Sequence, residues 1–376
     1  PRLDARSGKA CVVWAGCHPD TRQWRIFAAF SENGVDWTDP VAVAGGDRPA
    51  LHPDVAIDPQ TGAAHIAYED WSDGSIRLIE FDGGNISESI KLSESGKNFR
   101  PKLIVTEAGG KHKGAVAVAW DSYRDLQYDI YLRLAGKDGQ TGEEIRVSKC
   151  PRWDSDPDII EDLDGNIWVA WVRASNEISE YNAMRSVHTR FYDGQRLLYP
   201  TQPEVLFTTS EYRSTAALIG RDYDASFMES ISQASTTEAE TGDGRLTSFT
   251  TAWHPKLQVD SRNRVYVFCR EGDLRMPMLL GHVNYRVYEG DKWTKPLRLG
   301  LGRRGNILRC LWDQSLIISD NHIEGVWEQG FMNLGKAFWE IKDIKRTRIG
   351  NQNGPRFETW GEEYEETLHK GWARQE

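Results

Sequence analysis

No apolar run in this chain of 376 residues approaches the roughly 18 to 20 residues needed to cross a bilayer as a helix. No membrane span is expected. Positive charge is also scarce: 46 Lys and Arg stand against 56 Asp and Glu, a net charge of -10. Non-specific binding to nucleic acid or to an anionic membrane needs a positive field, so no nucleic-acid partner is expected either. The five cysteines (Cys11, Cys17, Cys150, Cys269, Cys310) include no CxxC pair, which leaves neither a disulfide framework nor a zinc knuckle. No His/Cys/Asp spacing calls for a metal, and no cofactor is expected. A structural calcium held by carbonyls and carboxylates would leave little trace in a sequence. The chain begins at Pro1 with no apolar signal segment, which reads as processing or trimming.

What is abundant is glycine and tryptophan, 34 and 15 residues, a composition that suits a turn-rich β protein with aromatic anchors. The chain also repeats itself. One unit runs His52-Pro53-Asp54-Val55-Ala56-Ile57-Asp58, a turn at Gly62, then His65 to Trp71. Its counterparts are Arg100 to Val105 with Val116 to Tyr123, Asp156 to Ile160 with Ile167 to Arg173, and His254 to Asp260 with Val265 to Glu271. A fifth, without its proline, runs from Asp313 to Gln329. Each unit is a short alternating strand, a polar Asp/Gly turn and a second strand ending on a large aromatic, the pattern of a β-hairpin with a buried face.

Further strand-like segments, such as 129–133 and 187–192, bring the repeat to four strands, the content of a propeller blade. The aromatic that closes the second strand falls at Trp14, Tyr68, Trp120, Trp171, Phe268 and Trp327, and the step from Trp171 to Phe268 is nearly double the others. A degenerate blade over Pro203–Phe207 and Ala216–Ile219 would fill that gap and give seven blades; six blades with a long loop is the alternative. Ala10–Trp14 reads as a second strand with no first strand before it. A segment after Gly350 is then expected to supply that strand and close the ring, making residues 1–376 a single all-β propeller domain.

The segment Ala117–Arg133, with Ala119-Trp120-Asp121-Ser122-Tyr123 and Tyr128-Asp129-Ile130-Tyr131-Leu132-Arg133, resembles the sialidase-like and TolB-like propellers. It is similar above all to the propeller domains found upstream of PHP-type metallohydrolases, as is Trp327-Glu328-Gln329-Gly330 with Asn333-Leu334-Gly335-Lys336. Ser31-Glu32-Asn33-Gly34-Val35-Asp36-Trp37 resembles a degenerate Asp-box. Such propellers include glycosidases and, on related seven-bladed scaffolds, polysaccharide lyases that use His, Tyr and Arg. The resemblance thus implies a carbohydrate-active protein, while a single degenerate Asp-box argues against sialidase activity itself.

In an antiparallel hairpin the start of the first strand and the end of the second share one rim, so equivalent positions of successive blades converge about the axis. The residue at the repeat-proline boundary is His52, Arg100, Asp156, His254 and Asp313 in turn, and all five can ionise. After the closing aromatic come Glu69 and Asp70, Asp121, Arg173, Arg270 and Glu328.

Two chemistries fit. In β-elimination from a uronate-containing poly- or oligosaccharide, His52 or His254 would be the base, Arg100, Arg173 or Arg270 would neutralise the carboxylate, and Tyr123 would assist as acid. In glycoside hydrolysis, Glu69, Asp121 and Glu328 would supply paired carboxylates. A non-catalytic glycan- or protein-binding propeller is the third reading. Asp156 lies in the same column as a substrate contact, and Trp71, Tyr123 and Trp253 could stack on sugar rings. The remaining histidines share no register and read as surface or structural, while Trp14, Trp120, Trp171 and Trp327 read as core anchors. An extracellular or periplasmic location is the expectation.

Overall fold

The computed structural model describes residues 1–17, 21–108, 112–150, 153–174, 185–200, 205–207, 250–273, 281–294, 297–299, 310–319, 322–329 and 333–340. Among these the secondary structure is entirely β, without a helix. Strands β1 (Arg2–Arg6), β2 (Lys9–Cys17), β3 (Trp24–Ser31) and β4 (Val41–Gly45) form the first sheet, in that order. The second holds β5 (Ala50–Ile57), β6 (Ala64–Asp70), β7 (Ser75–Phe81) and β8 (Ile90–Lys91). The third holds β9 (Lys97–Val105), β10 (Val116–Arg124), β11 (Gln127–Ala135) and β12 (Ile145–Arg146). In the fourth are β13 (Trp153–Glu161), β14 (Ile167–Ala174), β15 (Arg185–Tyr192) and β16 (Leu197–Leu198), with β17 (Val205–Phe207) also paired to β15. The fifth holds β18 (Thr250–Val259), β19 (Val265–Asp273), β20 (Gly281–Tyr288) and β21 (Leu297–Leu299). A sixth contains β22 (Cys310–Ser319), β23 (His322–Gln329) and β24 (Asn333–Glu340).

Every sheet is an antiparallel meander, and the first strands of successive sheets lie side by side: β1 with β5, β5 with β9, β9 with β13 and β13 with β18. That is the radial arrangement of propeller blades. The hydrophobic cores sit between blades. Ile66 and Tyr68 of β6 face Cys11 and Val13 of β2, and Trp120 of β10 faces Ala67 of the blade before it. Trp171 of β14 packs with Ala117, Ala119 and Ile130 of the third blade. Burying a side chain of this size against its neighbours contributes on the order of 2–3 kcal/mol, so the recurring aromatic fastens each blade to the one before.

Two expectations need correction. β1 pairs with β2 from Arg2↔Val13 to Arg6↔Lys9, so the first blade has a first strand of its own. The segment expected to supply it, after Gly350, lies outside the described residues. Val205–Phe207 does not open a further blade, because β17 pairs with β15 and belongs to the fourth sheet. The fourth and fifth blades touch directly, with Leu257 N–H donating to Asp158 Oδ2 at 2.7 Å and Leu163 N–H to Asn263 Oδ1 at 2.7 Å. Ala216–Ile219 lies outside the described residues.

The Asp/Gly turns act as read. Asp58, Asp162 and Asp260 each accept from a backbone N–H two residues on, Gln60 at 2.7 Å, Asp164 at 3.0 Å and Arg262 at 3.0 Å, the Asx geometry that ends one strand and starts the next. The Asp-box-like segment folds as a turn between β3 and β4, with Asn33 Oδ1 accepting from Val35 and Asp36 and Ser31 Oγ from Gly34.

Candidate functional site

The first strands of the second to fifth blades each carry a bulge at the residue singled out by the repeat. Register shifts fall between Leu51 and Asp54, between Trp253 and Lys256, between Ser155 and Asp158, and opposite Trp120 in the third blade. Two residues there face one, and the extra one is left unpaired. Proline suits the place because it has no N–H to leave unsatisfied. The residue before it takes a left-handed backbone: φ is 46° at His52, 51° at Arg100, 56° at Asp156 and 53° at His254. An L-residue pays about 1–2 kcal/mol for that conformation. Four ionisable residues hold it at equivalent places in adjacent blades, which turns them out of the ladder at one rim.

The carboxylates of the second strands meet them there. Glu69 is 1% exposed and Oε1 accepts from the Arg100 N–H at 2.7 Å and from His52 Nδ1 at 2.9 Å. Its Oε2 accepts from the Trp71 indole N–H at 2.8 Å. With Glu69 on Nδ1, the His52 imidazole, 58% exposed, keeps Nε2 for the solvent side. The Glu69 hydrogen bond raises the His52 pKa above its ordinary value, against the opposing effect of burial. Arg100 grips Asp121 with two bonds, Nε to Oδ1 at 2.8 Å and Nη2 to Oδ2 at 2.6 Å. Burial pushes the Asp121 carboxyl up to about 6 while the guanidinium opposes it. Asp156 Oδ2 meets His254 Nδ1 at 3.0 Å. Burial raises the Asp156 carboxyl as well, yet the His254 hydrogen bond and the His254 and Arg100 charges outweigh it and hold Asp156 well below the usual carboxylate range.

These groups form one continuous set. Arg100 feels the fields of Asp121, Asp156 and Glu69, and His52 feels those of Glu69, Arg100 and Asp121. The result is an Arg–carboxylate pair flanked on the neighbouring blades by two His–carboxylate pairs. Tyr123 stands two residues beyond Asp121 on the same face of β10, as Trp71 stands two beyond Glu69.

Not every expected residue joins them. Arg173 pairs with Asp154, Nε to Oδ1 at 2.7 Å and Nη2 to Oδ2 at 2.8 Å. The ladder explains why: Asp154↔Arg173 are cross-strand partners, and Arg173 is one residue out of step with Glu69 and Asp121, so it points to the other face. In the fifth blade Lys256 pairs with Phe268 and Trp253 with Arg270, whereas Asp54 pairs with Ala67. Phe268 therefore matches Ala67, not Tyr68, and Cys269 takes the place of the closing aromatic. That shift puts Arg270 in register with Glu69 and Asp121. The side chains of Arg270, Trp253 and Glu328 lie outside the described residues. His65 and His188 are held within their own blades, His65 3.8 Å from Glu80 and His188 stacked on Trp171.

Sequence reasoning missed Tyr128 and Trp153. Tyr128 is the cross-strand partner of Tyr123, their rings 4.9 Å apart, and it meets Trp153 edge-on at 5.8 Å and Phe99 at 6.0 Å. The hairpin pairing was the available signal. Among the described residues no group of His, Cys, Asp and Glu is arranged to hold a metal ion.

No family model matches this chain, and no curated protein does. Solved structures do. An ulvan lyase of a new polysaccharide lyase family, PL25, superposes with a TM-score of 0.55 at 13% identity, covering 91% of this chain and 80% of that one. The same type of lyase bound to -[GlcA(1-4)Rha3S]- superposes with a TM-score of 0.55 at 12% identity over the same shares. A Hadza microbial sialidase superposes with a TM-score of 0.51 at 11% identity, covering 89% of this chain and 64% of that one. At these identities the likeness is one of fold: the chain has the propeller fold of these carbohydrate-active proteins.

Proposed function

We propose that the protein cleaves an acidic, uronate-containing poly- or oligosaccharide by β-elimination at the rim of its second to fifth blades. The observation that carries this reading is the Arg100–Asp121 pair set between the His52–Glu69 and Asp156–His254 pairs. Elimination needs a base beside a cation. His52, with Nδ1 turned to Glu69, offers Nε2 to remove the proton α to the substrate carboxylate. Arg100 holds Asp121 through Nε and Nη2, so Nη1 is the nitrogen turned to the carboxylate, where it offsets the charge that builds as the enolate forms. The electron pair of the broken C–H bond becomes the new C=C bond as the glycosidic C–O bond breaks. Tyr123, or His254 from the facing blade, returns a proton to the departing oxygen. The propeller fold shared with a polysaccharide lyase supports the substrate class.

Hydrolysis by paired carboxylates fits less well. Glu69 accepts from three donors and Asp121 is spent on Arg100 and fully buried, so neither is presented to a sugar. A non-catalytic glycan- or protein-binding propeller is the remaining reading. Incubation with a panel of uronate polysaccharides, read by absorbance of the unsaturated product and by reducing ends, separates these cases. New absorbance is the expected result. Reducing ends without it mean hydrolysis, and binding with neither signal removes the enzyme reading.

A further inference from the structure

Four rings beside the ion pairs have no part in the interblade cores. Phe99 precedes Arg100 in β9, Tyr123 and Tyr128 face each other across the tip of the β10–β11 hairpin, and Trp153 opens β13 in the next blade. The Tyr128 centroid lies 4.9 to 6.0 Å from those of the other three, yet none belongs to the buried set, and Trp153 is 44% exposed. Asp121 and Arg100 both act on the Tyr128 phenol, so this cluster adjoins the charged centre. The alternation of β10 accounts for its direction: Ala117, Ala119, Asp121 and Tyr123 share the face turned to the fourth blade, where Ala117 and Ala119 pack against Val169 and Trp171. Nearer the rim that face runs out of core and ends in rings open to solvent. Half-exposed aromatic clusters retain apolar area that a ligand can cover, and the apolar face of a pyranose is a flat partner for it.

We propose that Tyr128 and Trp153, backed by Phe99 and Tyr123, form a carbohydrate shelf that takes the next sugar unit beyond the acidic one held at Arg100 and the neighbour it is cleaved from. The inference rests on the glycan-directed reading above and extends it: the shelf lies toward the fourth blade, so it can be reached only by a chain longer than the acidic unit and its immediate neighbour at the point of cleavage. It makes the same contact before and during the reaction, and so acts on KM rather than on kcat.

The test measures kcat and KM on short and long oligomers of whichever polysaccharide the panel identifies, for the unaltered protein, Trp153→Ala and Trp153→Phe. Loss of one ring contact is expected to raise KM for the long oligomers about tenfold with kcat little changed. KM for the shortest cleaved oligomer should not move, and Trp153→Phe should recover most of the loss. Should Trp153→Ala fold poorly, the Trp153→Phe and Tyr128→Leu variants give the same comparison. Unchanged KM for long oligomers, or a fall in kcat that is the same at every length, overturns the shelf while leaving the cleavage reading intact. Failure of the unaltered protein to bind or cleave any uronate polysaccharide overturns both.

Discussion

His52, Arg100, Asp156 and His254 each hold a left-handed backbone that glycine would adopt without penalty. Strain of that kind persists where the side chain is worth more than the relaxed backbone. Replacing His52 by glycine and by alanine separates the two contributions, since both remove the imidazole and only one relieves φ. His52→Gly is expected to be more stable than His52→Ala by about 1 kcal/mol in denaturant unfolding, with both inactive. Equal stabilities would mean that the bulge carries no strain. The His52–Glu69 pair makes a second, pH-dependent prediction. Glu69 raises the pKa of His52, and a base must be neutral, so the rising limb of kcat/KM should lie above the ordinary histidine range. Glu69→Gln should move that limb to lower pH and reduce the plateau about 100-fold as the imidazole loses its orientation. The sign for stability is opposite. The folded protein keeps a proton that the unfolded chain has lost, so the pair's contribution is full below the ordinary histidine pKa and fades as pH rises through the raised folded value. A limb that stays in place in the variant would remove Glu69 as a positioning residue.

At the scale of strands and hairpins, the column of ionisable residues was legible because a proline marks four of its members, and proline has few places in a sheet. The blade-by-blade convergence of His52, Arg100, Asp156 and His254 followed from that mark alone. What sequence could not carry was the register of β19. Phe268 and Cys269 both fit a buried position, and only the pairing of Lys256 with Phe268 shows that the chain is one step out. A one-residue slip exchanges the two faces of a strand, which is why Arg173 was grouped with the site and is instead bound to Asp154. Tyr128 and Trp153 were missed for a different reason. Neither lies in the repeat column, and they meet only because a hairpin folds back and a neighbouring blade begins. Contacts made across blades leave no spacing in the sequence.

Across the whole molecule, a second column runs beneath the first, two residues further along each first strand: Asp54, Lys102, Asp158 and Lys256. Asp54 Oδ1 lies 3.6 Å from Lys102 Nζ and 3.8 Å from Arg2 Nε. Its Oδ2 accepts from Leu103 N–H at 3.2 Å, as Asp158 Oδ2 accepts from Leu257 N–H at 2.7 Å. Each aspartate thus binds the first strand of the next blade through both its charge and its backbone. Burial lowers the Lys102 pKa and raises that of Asp158, the direction expected when charges of both signs are drawn out of water together. Such a pair need not add net stability, but breaking it strands a charge. Lys102→Met should therefore cost about 3 kcal/mol, because Asp54 loses its nearest cation in a site too closed to rehydrate. Asp54→Asn keeps an acceptor for Leu103 and removes the charge, so the double variant should recover part of that cost, with a coupling of about 1 kcal/mol or more. Urea unfolding of the four proteins measures it. Strictly additive losses would show that the blades are held by their apolar interfaces alone and that the column does not fasten one to the next.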